Sequence, residues 1–190
     1  MMDVTIDDIR IEICNRLGQA VRDRNAAMHT PVVATADADA RIMVLRSFDP
    51  EDWTLRFHTD ARAPKVGVIE RDPRVAVLAY DRDAKLQLRL RGTGKIAREG
   101  AEVDSAWAES TNFARRCYLG AGPGVPSAVP TTGLPLEHQN GEPSDEDLLP
   151  ARENFAILKV AIEEADWYWL SAKGHRRALV TPSGGKWLTP

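Results

Sequence analysis

The sequence predicts a mainly β (α+β) chain: a closed or split antiparallel β-barrel of six to eight strands with flanking helices. Three observations predict it. Short runs with period-two alternation recur between turn signals, as where Trp53, Leu55 and Phe57 alternate with Thr54, Arg56 and His58. The connections between the early runs are too short for helical crossovers, which leaves antiparallel pairing. That many short strands in an open sheet would expose edges, and a barrel covers them.

Residues 5–25, within an N-terminal helical segment of 1–28, read as an amphipathic helix. Ile6, Ile9, Ile13, Leu17 and Val21 recur at spacings of three and four. Thr5, followed three places later by Asp8, resembles a capping box. From Pro31 the period changes to that of strands: a β-branched run, a polar turn at 36–40, and a second run from Arg41. Asp49-Pro50-Glu51-Asp52 is a turn signal before the strand from Trp53. Pro64 suits the first turn of a helix running to about Asp72, with Val66 and Ile69 inward. The run Arg74–Tyr80 is apolar at successive positions, which predicts a central strand covered on both faces. In the next strand Leu86, Leu88 and Leu90 face one way and Gln87, Arg89 and Arg91 the other, with Gly92 and Gly94 marking a bulge. Residues 99–119 return to helix, broken near Ser110, with Val103, Ala106, Trp107, Phe113 and Cys117 inward. Residues 120–150 are a Gly/Pro-rich loop, and loops of that length are functional or mobile. Separate strands are then expected at 154–162, 166–172 and 175–180, with a last one from Lys186.

A chain of 190 residues suits one domain, 1–190, with a substantial core. The net charge of −3 gives no reason to expect nucleic acid as a partner. No apolar run is long enough to cross a membrane, and the first ten residues do not resemble a secretory signal, so a cytoplasmic location is expected. Cys14 and Cys117 have no CxxC neighbour, and no second His stands at ligand spacing, so no metal is expected.

Several residues carry charge or hydrogen-bonding chemistry in suggestive places. Arg62 and Lys65 flank the helix start at Pro64, where free backbone N–H groups attract anions; the competing reading is two solvated surface charges. Thr59 adds a hydroxyl. Arg41 and Arg46 bracket an apolar run and by parity face opposite ways, so only one shares a site unless the strand bulges. Gln87 offers an amide that suits a heterocycle edge, or is a plain exposed strand residue. Arg115, Arg116 and Tyr118 form a cationic and aromatic cluster that reads equally as an anion grip or a solvated face. Trp167, Tyr168 and Trp169 precede Lys173, His175, Arg176 and Arg177, which fits a core, an interface or an anion site.

Taken together, these residues resemble the pyridoxamine 5′-phosphate oxidase family of FMN-binding split barrels. The resemblance rests on Arg41-Ile-Met-Val-Leu-Arg46, Phe57-His-Thr-Asp60 with Arg62 and Lys65, Asp72-Pro-Arg-Val75, Leu86-Gln87 leading to Arg91-Gly92, and the closing Asp166-Trp-Tyr-Trp, Gly174-His-Arg-Arg177 and Trp187-Leu-Thr-Pro190. It implies a homodimer with FMN at the subunit interface. It further implies that Arg41, Ile42, Met43 and Val44 line the flavin, that His58 and Thr59 touch it, and that Arg62 and Lys65 clamp its phosphate. Gln87 would meet the isoalloxazine edge, and Ser127 aligns with a polar FMN contact. Trp167 or Trp169 and Arg176 or Arg177 would close over the flavin from the second subunit. Arg46, Arg115, Tyr118 and His175 stand at or near the family's substrate positions. Where the oxidases have Ser-Arg-Lys this chain has Ala63-Pro64-Lys65, which moves the phosphate arginine to Arg62. The implied activity is that of an FMN-dependent oxidoreductase on a small molecule, of which pyridoxamine or pyridoxine 5′-phosphate is one. The alternative is a flavin- or haem-binding protein of the same fold without turnover.

Overall fold

A computed structural model describes residues 4–190; the first three residues of the expected 1–28 segment lie outside the described residues. Helix α1 spans Ile6–Arg22, and Thr5 and Asp8 complete the capping box from both sides. Ile9, Ile13, Leu17 and Ala20 are buried along one face, as the periodicity requires. The strands are β1 (Val32–Thr35), β2 (Ala40–Ile42), β3 (Leu45–Asp49), β4 (Thr54–Asp60), β5 (Arg74–Asp81), β6 (Leu86–Ala97), β7 (Phe155–Trp169), β8 (Arg176–Thr181) and β9 (Gly184–Leu188). Helix α2 (Pro64–Arg71) joins β4 to β5, and α3 (Ala101–Ala108) and α4 (Asn112–Arg115) follow β6.

All strand pairings are antiparallel. The order is β2-β1-β5-β6-β7-β4-β3, with β8 and β9 branching from β7. Strand β7 makes the branch possible. One edge pairs with β6 from end to end, while the other takes β4 at residues 155–161 and β8 at 165–169. The result is a curled, split barrel. Its core packs α1 against the inner face of the sheet, with Leu55, Phe57, Leu86, Leu88 and Leu90 at its centre. A smaller cluster holds Val103 and Ala106 of α3 against Phe155 and Ile157 of β7.

The chain departs from the sequence expectation in four places. Nine strands form instead of six to eight, and the run from Arg41 breaks at Met43–Val44 into β2 and β3. β7 is one continuous strand through Glu163 and Glu164, which pair across to Thr93 and Arg91 instead of turning. β5 is interior to the sheet but alternates: Val75, Val77 and Ala79 are buried, while Leu78 and Tyr80 are exposed on the outer face among the described residues. Phe113 points outward, with the Arg116 guanidinium 4.2 Å from its ring centroid. The bulge predicted by the glycines is present between Arg91 and Gly92, where a Cβ would lie 1.9 Å from the carbonyl oxygen of Ala161.

Candidate functional site

The start of α2 is built to receive negative charge. Its first residue is Pro64, its N-cap Ala63 has no side chain able to cap, and no acidic residue stands in its first turn. Lys65 follows Pro64, is half-buried, and makes no hydrogen bond or ion pair among the described residues. Burial first, and the Arg41 cation second, hold its pKa below the ordinary lysine value, against the pull of Asp60 and Asp39. Arg41 reaches the same place from β2. Its guanidinium donates to Asp39 at 2.5 Å, Thr35 Oγ1 at 3.1 Å and the Val33 carbonyl at 3.2 Å.

Arg62 is spent differently. It donates through Nε and Nη2 to the buried carboxylate of Asp60, at 3.0 and 2.7 Å, and through Nη1 to the carbonyl of Gly120 at 2.9 Å. It thereby pins the beginning of the Gly/Pro loop beside α2. Gly122 lies against the Arg62 side chain and Gly124 against the Pro64 ring. Ser127, farther along this segment, is exposed and donates to the Val129 carbonyl. Thr59 is buried, its hydroxyl directed at the Asp60 carbonyl.

A separate cavity of about 540 Å³ lies between β3, β4 and the α3–α4 turn, lined in part by Val44, Arg46, Arg56, His58 and Phe113. Arg46 enters it through a device that parity could not reveal. The β3–β4 register passes from Leu45↔Phe57 to Ser47↔Arg56, which leaves Arg46 as the extra residue of a bulge. His58 packs edge-on against Phe155 at 5.0 Å, and Tyr118 packs on the other contact of that ring at 5.2 Å. Arg46 is close enough to influence both His58 and Tyr118. Burial raises the Tyr118 phenol above its ordinary pKa. Burial, then the Arg46 and Arg56 cations, push His58 down to about 4. The folded protein therefore resists protonation that the unfolded chain accepts from pH 6.5 downward. The stability His58 contributes is present above that pH and is lost as the pH falls toward 4. After discounting for partial exposure we expect the loss to be about 1–2 kcal/mol. Urea unfolding at pH 7.5 and 4.5 checks it: His58→Asn should lose less stability between the two pH values than wild type by that amount, and an equal loss would remove the assignment.

The remaining candidates lie elsewhere. Gln87 sits on the outer face of the sheet, opposite Tyr80 on β5 and Tyr168 on β7. Arg177 lies over Tyr168 at 5.8 Å and donates to Asp166, and His175 meets the same tyrosine at 5.7 Å. Tyr168 is thus the aromatic that the structure puts beside Gln87; two-residue alternation from Gln87 across the sheet was the only signal for it. Trp167 points the other way, into the core, and donates its indole N–H to Glu12 at 3.0 Å. Trp169 shares that face but is half-buried, with Arg176 5.8 Å from its ring. Arg115 is taken up internally. It donates to the carbonyls of Trp107 and Ala108 and to Asn112 Oδ1, closing the end of α3 onto α4.

No helix among the described residues is long and apolar enough to cross a membrane. Residues 14–98 match the family model described as pyridoxamine 5′-phosphate oxidase, FMN-binding domain. No curated protein matches the chain. Among solved structures, a pyridoxamine 5′-phosphate oxidase-related, FMN-binding protein of Nostoc punctiforme superposes over 100% of both chains, with 21% identity and a TM-score of 0.73. PhzG of Burkholderia lata, in complex with tetrahydrophenazine-1-carboxylic acid, superposes over 95% of this chain and 92% of its own, with 19% identity and a TM-score of 0.66. A protein of Clostridium acetobutylicum related to general stress protein 26 covers 90% and 94%, at 13% identity and a TM-score of 0.56.

Proposed function

Given a chain with the pyridoxamine 5′-phosphate oxidase-like split-barrel fold, we propose that it binds FMN and works as an FMN-dependent oxidoreductase on a small molecule. The observation that carries this is the start of α2: an uncapped helix end with Lys65 lacking an anion and Arg41 beside it. A phosphate monoester fits that donor set, which supplies free N–H groups and two cations at one point. Lys65 and Arg41 would hold the phosphate. Arg62 supports the site by fixing Asp60 and the loop from Gly120, and Ser127 arrives with that loop. Ile42, Met43, Val44, His58 and Thr59 lead from there toward the cavity.

Bound FMN would supply two-electron chemistry; the chain's own part is to bind, orient and exclude water. The outer face supports a homodimer. Ile42, Leu78 and Tyr80 expose apolar side chains on it, with Ile42 70% exposed, and Gln87 lies among them. A second copy covering this face would bring its Tyr168 and Arg177 to the site, while Trp169, with Arg176 over its ring, lies on the opposite face of β7. Arg46 at the cavity and Tyr118 near Arg46, with His175 from the second copy, are the groups available to a substrate. Oxidation of pyridoxamine or pyridoxine 5′-phosphate is one reaction of this type, and the ligand named for the Burkholderia lata protein shows that the fold also accommodates a polycyclic acid.

The test is the absorbance spectrum of the purified protein, before and after incubation with FMN. Flavin bands that persist through gel filtration support the proposal. A Soret band, or no retained flavin, would sink it. Peroxide formation with pyridoxamine and pyridoxine 5′-phosphate then decides whether those two compounds are substrates.

A further inference from the structure

The cavity beside β4 contains a charge that the protein balances only with one long ion pair. Arg56 lines it with a side chain only 16% exposed, yet it makes no hydrogen bond among the described residues. Its Nε is buried without a partner. The nearest carboxylate, Glu109, stands 3.7 Å from Nη2, beyond hydrogen-bond length, and is itself 65% exposed. Two residues on, His58 also lines the cavity, and its Nε2 is likewise buried without a partner. Two buried polar atoms without hydrogen-bond partners on one face of one strand, Arg56 Nε and His58 Nε2, are costly, and the long ion pair to Glu109 supplies no hydrogen bond to offset that cost. They are tolerated where a ligand completes them.

We propose that Arg56 and His58 form an oxyanion subsite that takes the carboxylate or phosphate of a small, otherwise apolar substrate. The guanidinium fork receives two oxygens of the anion, and His58 hydrogen-bonds one of them. Val21, Val44, Leu45 and Phe113 supply an apolar lining for the body of the molecule, and a volume of about 540 Å³ is of the size that small-molecule sites have. Arg56 is none of the substrate positions that the family resemblance supplied. Glu109 lines the same cavity, stands 3.7 Å from Arg56, and accepts a hydrogen bond from the Ser105 hydroxyl at 2.9 Å. It acts as a built-in competitor that a bound anion displaces. The subsite rests on the reading that the flavin lies along Val44 and His58, at the edge of the same cavity.

Calorimetry on the full chain, with benzoate, phenyl phosphate and benzyl alcohol as probes, tests the subsite, while FMN affinity is followed separately by absorbance. At least one anion should bind about tenfold more tightly than the neutral alcohol, and the tighter of the two identifies the oxyanion. Arg56→Gln should weaken that anion by about tenfold or more and leave FMN affinity within about twofold. Equal binding of all three probes, or unchanged anion binding in Arg56→Gln, overturns the subsite. So does a loss of FMN in place of the anion, since Arg56 would then serve the flavin. If Arg56→Gln does not fold, Glu109→Gln decides: removal of the competitor should tighten the anion about threefold, and no change counts against the subsite. Arg56-dependent anion binding by a protein that takes up no FMN would leave the subsite standing and refute the flavin reading alone.

Discussion

Replacing Lys65 with Ala is expected to lower FMN affinity by about tenfold to a hundredfold while leaving the flavin-free fold as stable as before. The binding estimate follows from losing one charge-assisted hydrogen bond to phosphate, worth roughly 1.5–3 kcal/mol. The stability side follows from what Lys65 does in the absence of a ligand. It is half-buried, faces Arg41 and pairs with nothing among the described residues, so its charge is a burden on the folded state. Fluorescence titration with FMN and urea unfolding of the flavin-free protein measure the two sides. A variant that binds FMN like wild type would mean the phosphate lies elsewhere. A variant that unfolds more easily would mean the lysine has a structural partner.

Arg62→Ala is expected to do the reverse. It strands the Asp60 carboxylate, whose side chain is only 7% exposed, and releases Gly120 from its anchor. The arginine itself is one-third exposed, so the cost falls between that of a surface pair and a buried one, about 2–3 kcal/mol. FMN affinity should fall less than in Lys65→Ala. Adding Asp60→Asn should recover part of the lost stability, because the stranded charge goes with it. Combining Arg62→Ala with Lys65→Ala should abolish useful FMN binding. If Arg62→Ala instead kept its stability and lost flavin as severely as Lys65→Ala, Arg62 would be a direct phosphate ligand and its bond to Asp60 incidental.

These two variants also mark how far the sequence could be read. The uncapped helix start was legible, because Pro64 fixes the first turn and Ala63 has nothing to cap with. That Arg62 turns back to Asp60 was not, since both readings place an arginine two residues after an aspartate. α1 and β4 were legible because a single face of each is buried, so apolar spacing reports it directly. β5 misled for a related reason: Leu78 and Tyr80 are apolar yet exposed in the single chain, as residues awaiting a neighbour would be. Strand parity placed Arg41 and Arg46 on opposite faces. The break at Met43–Val44 and the bulge at Arg46 interrupt the unbroken strand that parity assumes, and neither has a Gly or Pro to announce it. Parity did serve on β7, where it separates Tyr168, beside Gln87, from Trp167 and Trp169 on the opposite face. Arg115 was ambiguous in sequence because its partners are backbone carbonyls of α3, which no side-chain spacing encodes.

The branching of β7 has a consequence for how the chain is made. Strands β4 and β6 leave the ribosome roughly 60 to 100 residues before the strand that joins them, a separation to which the loop from 120 to 150 contributes. Until residue 155 and beyond emerge, both present open edges. Such distant pairings close slowly. The nascent chain therefore passes through a stage in which α1, β5 and β6 have gathered but the barrel is still in two pieces. During synthesis, exposure to aggregation and demand for chaperones should be concentrated in that interval.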